Sequence, residues 1–117
     1  MKLAALAVFA VALLAASPPA QAHATLARSS PADGATVEGK VTQIKLQFSQ
    51  AVRLTLVRVT PQDADPVEPA SALPAAFVET VDVDVPALAP GEYDAQWTAV
   101  AQDGHVMTGA FSFIVTD

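Results

Sequence analysis

From residue 41 onward, apolar side chains recur at every second position, the period of a half-buried β-strand. Ile44, Leu46 and Phe48 alternate with Gln43, Lys45 and Gln47, and Val81, Val83 and Val85 alternate with Thr80, Asp82 and Asp84. Tyr93, Ala95, Trp97 and Ala99 oppose Glu92, Asp94, Gln96 and Thr98, and Phe111, Phe113 and Val115 oppose Ser112, Ile114 and Thr116. Between Val52 and Val59 the phase slips from Leu54 and Leu56 to Val57 and Val59, which predicts a bulge within that strand. Ser30-Pro31-Ala32-Asp33-Gly34 and Ala89-Pro90-Gly91 are turn-forming clusters. No 3.6-residue period is sustained after residue 22. Six or seven short strands in one domain predict an all-β fold, a two-sheet antiparallel sandwich or Greek-key barrel. Its core is expected around Trp97, with Phe48, Phe111 and Phe113 beside it. Thr108 and Gly109 are expected to shape the turn into the last strand.

One stretch breaks the alternation. Pro61 to Ala76 reads PQDADPVEPASALPAA, with four prolines, and predicts an extended, exposed loop. Its Asp63, Asp65 and Glu68 lack the glycine turn and the terminal bidentate Glu of a calcium loop, so they read as solvated carboxylates.

The first 22 residues follow a different logic. Met1-Lys2 is a short basic start, Leu3 to Ala16 is apolar, Ser17-Pro18-Pro19 breaks any helix, and Ala20-Gln21-Ala22 is a small-x-small cleavage site. That order predicts a secretory signal peptide over 1–22 and a mature domain over 23–117. The apolar run is shorter than the roughly 20 residues a bilayer span needs. An exported chain without cysteine draws its stability from burial, and it has no thiolate site for zinc, iron–sulfur or blue copper. Twelve acidic side chains against six basic ones, a formal net charge of −6, exclude a nucleic-acid partner.

Cleavage after Ala22 changes the chemistry, because the mature chain then begins with His23. A terminal histidine offers its free amine and its imidazole, which together close a six-membered chelate ring. The second of the two histidines stands in Asp103-Gly104-His105. In extended backbone, side chains two apart project to one side, and Gly104 lets the segment turn tightly. Three nitrogens and one oxygen from His23, Asp103 and His105 suit a tetragonal Cu(II) site, and copper tops the divalent series for such donors. Asp-Gly-His alone is usually a turn with an exposed histidine, and a terminal histidine alone can be an accident of processing. Their conjunction is the more specific signal.

The run VAQDGHVMTGAFSFIV (Val100 to Val115), the start HATLARSSPADGATV, the segment IKLQFSQAV and the strand GEYDAQWTAV resemble the CopC family of periplasmic copper-resistance proteins. The resemblance covers essentially the whole of 23–117. It implies a cupredoxin-like, seven-stranded Greek-key β-barrel that binds one Cu(II) per chain and passes it on. It also implies a periplasmic, monomeric protein working beside an inner-membrane copper transporter of the CopD type. Position by position, the implied Cu(II) ligands are His23 (amine and imidazole), Asp103 and His105. Many relatives also carry a Met-rich Cu(I) loop; here Pro61 to Ala76 contains no Met and no His, so no such site is expected. Gln50 stands where some relatives have Glu, removing an accessory carboxylate. Met107 follows His105 by two positions and is read as a packing residue more than as a distant axial ligand.

No nucleophile–base pair or carboxylate dyad stands out, so the protein is expected to bind and not to turn over substrate. The enzymatic alternative, a small copper monooxygenase with a terminal histidine, would need copper-dependent cleavage of chitin or cellulose. The structural alternative is a β-sandwich domain with incidental histidines, which would bind no copper tightly.

Overall fold

The computed structural model describes residues 25–117; the signal peptide expected over 1–22 and the candidate ligand His23 lie outside the described residues. Six strands follow in chain order: β1 (Leu26–Ser30), β2 (Ala35–Glu38), β3 (Val41–Pro61), β4 (Val78–Leu88), β5 (Gly91–Ala101) and β6 (Val106–Thr116). Among the described residues no helix is long and apolar enough to cross a membrane.

The organising element is β3, 21 residues long. Its first part, Val41 to Gln47, lies between β1 and β4, and its second part, Val52 to Pro61, pairs with β5. Strands β5 and β6 form an antiparallel hairpin, and the short β2 closes the far side in parallel with β6. The alternation supplies the reason for the bend in β3. Phe48 and Val52 are both buried, while Ser49 and Gln50 between them are both exposed. Two consecutive outward residues interrupt the inside–outside period, and the strand turns the sheet back over itself. The sequence reads this stretch as two strands; the hydrogen-bonded ladder keeps it as one. Among the described residues the strands number six, within the six or seven that the alternation predicts.

Inside the fold, the apolar phase of every long strand is buried as the periodicity requires. Ile44, Leu46, Phe48, Val81, Val83, Val85, Trp97, Phe111, Phe113 and Val115 all belong to one core. Burying a Val, Leu, Ile or Phe side chain is worth about 1.5–3 kcal/mol each, and no polar or charged residue is buried among the described residues. Aromatic geometry joins the two halves of the bent sheet, where Phe48 meets Trp97 edge to face at 5.1 Å; within the β5–β6 hairpin, Tyr93 stacks on Phe113 at 5.5 Å. The expected bulge is present. Leu54 faces Ala99 but Leu56 faces Thr98, so Thr55 is the extra residue and the inward phase moves to Val57 and Val59.

The Pro-rich segment after Pro61 is irregular and mostly exposed, but it is tied down more firmly than its composition suggests. Val67 exchanges backbone hydrogen bonds with Val59, at 2.6 and 3.2 Å, and Ala70 N–H donates to the Asp84 carbonyl at 2.7 Å. Val67 and Leu73 pack against the core. Glu68 pairs with Arg58 at 3.6 Å, consistent with its reading as a solvated carboxylate.

Thr108 and Gly109 need correction. They do not shape a turn; both lie within β6, where Gly109 faces Trp97 across the ladder. A Cβ on Gly109 would lie 2.5–2.7 Å from three atoms of the indole. The glycine is the space into which the largest core side chain fits.

Candidate metal centre

The hairpin joining β5 to β6 presents Asp103 and His105. The Ala101 N–H donates to the His105 carbonyl at 2.8 Å, and the Gly104 N–H donates to the Ala101 carbonyl at 2.9 Å. Three residues, Gln102 to Gly104, make the turn between them. Gly104 has φ of +91°, the left-handed position that three-residue hairpin loops place before the second strand. A side chain with a Cβ is strained there, which is why glycine stands between the two candidate ligands.

This turn changes how Asp103 meets His105. The spacing suggests two neighbours on one side of an extended segment; instead Asp103 sits in the turn and folds back over Gly104. One carboxylate oxygen, Oδ1, accepts the His105 backbone N–H at 3.0 Å, and Oδ2 lies 2.7 Å from the imidazole Nδ1. The carboxylate thereby fixes both the backbone and the ring of His105. Both side chains remain open to solvent, His105 at 62% and Asp103 at 52% exposure. A nitrogen and an oxygen donor in contact at an exposed tip can present themselves to an incoming cation without unfolding anything.

The start of the described chain comes to the same place. Thr25, Leu26, Trp97, His105 and Met107 line one open pocket. Thr25 is held there by two bonds to β3: its N–H donates to Ser49 Oγ at 2.9 Å, and its carbonyl accepts the Ser49 N–H at 2.8 Å. Residue 23 precedes Thr25 by two positions. Among the described residues no group of three or more His, Cys, Asp or Glu side chains is assembled for a metal. Asp103 and His105 are the candidate ligands that lie among the described residues; the third candidate, His23, lies outside them.

The other candidates fall elsewhere. Gln50 is exposed at the bend of β3, next to Ser49. Met107 is half-buried against the core and shares the pocket with His105. Two contributors were not read from the sequence as parts of the site. Ser49 anchors the chain start, and Trp97, only 6% exposed, still forms part of the pocket wall. The pairing of a bulky aromatic with Gly109 across a predicted hairpin was the available signal for Trp97; nothing local marks Ser49.

A small all-β Greek-key barrel that presents an Asp-x-His pair on its last hairpin, beside the start of its first strand, defines the class of protein. Residues 26–116 match the CopC domain, and the chain belongs to the CopC family. It is 35% identical over 115 residues to copper resistance protein C of Xanthomonas campestris pv. juglandis, covering 90% of this chain and 89% of that protein. The fold is shared with the crystal structure of CopC from Methylosinus trichosporium OB3b, with a TM-score of 0.67 and 23% identity over 80% of this chain and 93% of that one. It also resembles PcoC, a methionine-rich copper resistance protein from Escherichia coli, with a TM-score of 0.59 and 27% identity over 81% of this chain and all of that one.

Proposed function

We propose that this chain is an exported copper-binding protein that buffers or delivers Cu(II) in copper resistance, without turnover. In this reading residues 1–22 are removed on export to the periplasm. The domain over 23–117 then holds one Cu(II) through the His23 amine and imidazole, Asp103 and His105. A CopD-type inner-membrane transporter is the partner that suits such a carrier. The observation that carries the reading is that His105, held by Asp103, lines one pocket with Thr25, which follows His23 by two positions in the sequence. Membership of the CopC family and likeness to a copper resistance protein support copper as the ion.

The residues on the hairpin do two things in this scheme. His105 supplies a nitrogen whose ring is already oriented, and Asp103 supplies the orienting contact and an anionic oxygen for the cation. Cu(II) prefers such nitrogen and oxygen donors in tetragonal geometry. Binding must displace protons from two imidazoles and an amine, so apparent affinity falls as the solution is acidified from neutral pH.

Titration of the exported protein with Cu(II) tests this directly. One tight equivalent is expected, weakened by at least about tenfold, ~1.4 kcal/mol, in His105→Ala. Affinity that ignores His105, or that stays flat from neutral to mildly acidic pH, would show that the ligands are wrong.

A further inference from the structure

The pocket beside His105 contains one more donor that the Cu(II) scheme does not use. The ladder of the last hairpin continues through the Ala101–His105 bond, so His105, Met107 and Gly109 fall in the same strand phase as the buried Phe111, Phe113 and Val115. Residues two apart on a strand are separated by about 7 Å. An imidazole and a thioether at that spacing, both long enough to lean toward each other, can meet at a single ion. Of the chain's two methionines, Met1 and Met107, Met107 lies among the described residues.

Space for an ion follows from Met107's neighbours. Across the ladder stands the small Ala99, and the thioether borders an open pocket of about 540 Å³ that it shares with His105. Diagonally opposite lies Trp97, which lines the same pocket as His105 and Met107. Its ring is held by packing, edge to face on Phe48 and close against Gly109, and its Nε1 makes no hydrogen bond among the described residues. The indole is therefore a fixed aromatic wall beside a sulfur and a nitrogen donor. Thioether sulfur favours monovalent copper over divalent ions, and an indole attracts a cation placed over its face.

We propose that this pocket is a Cu(I) site, with the His105 imidazole and the Met107 thioether as donors and Trp97 as its wall. It rests on the copper-carrier reading and extends it, because His105 serves both oxidation states while Met107 serves only the reduced one. The Pro-rich loop after β3, which lacks methionine and histidine, takes no part.

The test is an anaerobic titration of the exported protein with Cu(I) in competition with bicinchoninate, with a Cu(II) titration in parallel. Met107→Leu keeps the side-chain volume and is expected to lower Cu(I) affinity by about tenfold or more while changing Cu(II) affinity by less than about twofold. His105→Ala lowers both. Emission from Trp97, the single tryptophan, changes on adding Cu(I) to the wild type and does not in Met107→Leu. Cu(I) affinity and emission unaltered in Met107→Leu overturn the site. Retention of Cu(II) without Cu(I) also overturns it and leaves the carrier reading intact; Cu(I) held through Met107 without Cu(II) does the reverse.

Discussion

Adding a single residue ahead of His23 is expected to lower Cu(II) affinity by about a hundredfold or more, ~2.7 kcal/mol. The extension converts the terminal amine into an amide and opens the six-membered chelate, while both imidazoles and the Asp103 carboxylate are kept. Among the described residues, the first bonds that fasten the chain are those of Thr25 to Ser49. The extended protein should therefore melt where the processed one does. Isothermal titration of the two forms, with thermal melts alongside, separates loss of a ligand from loss of fold. Equal affinity in both forms would remove the amine from the ligand set.

Gly109→Ala is expected to destabilise the fold by about 3 kcal/mol, the upper end of what overpacking costs. The new methyl would sit 2.5 Å from the Trp97 ring, and that ring cannot retreat easily because Phe48 packs against it from the other half of the sheet. The strand ladder keeps Gly109 opposite Trp97, so the backbone has little freedom to absorb the overlap. If this collision is the cause, the penalty should largely vanish in a Trp97→Leu background, a coupling that a double-mutant cycle in urea measures. Additive effects would place the cost elsewhere. Because Trp97 also lines the pocket beside His105, the same pair of variants links the packing of the core to the shape of the site.

Much of this architecture was visible as periodicity. The β5–β6 hairpin could be read from the alternations of Tyr93 to Ala99 and Phe111 to Val115, and the slip at Leu56 announced its bulge in β3. Other features were hidden because they depend on contacts between distant segments. The run from Phe48 to Val52 looks like a break between strands, since two exposed residues in succession resemble a turn. The absence of Gly or Pro there was the sign that the strand only bends. The parallel pairing of the four-residue β2 with β6 has no local signature. Gly109 was misplaced because a glycine near a strand start reads as turn chemistry until its partner across the ladder is known. At the candidate site, Asp103 and His105 were recognisable by residue type and spacing. Their contact through a turn was not, because it depends on the positive φ of Gly104. The wall contributed by Thr25 depends on β1 pairing with β3, where Leu26 faces Phe48, and no reading of either segment alone would join them.

In the proposed function, a processed terminus completes a copper site begun by Asp103 and His105. Native mass spectrometry of the protein recovered from the periplasm, with and without added Cu(II), examines both halves in one spectrum. The predicted result is a chain beginning at His23 that gains the mass of one copper ion and loses it on acidification. A chain beginning elsewhere that still retains copper, or one beginning at His23 that gains none, would contradict it.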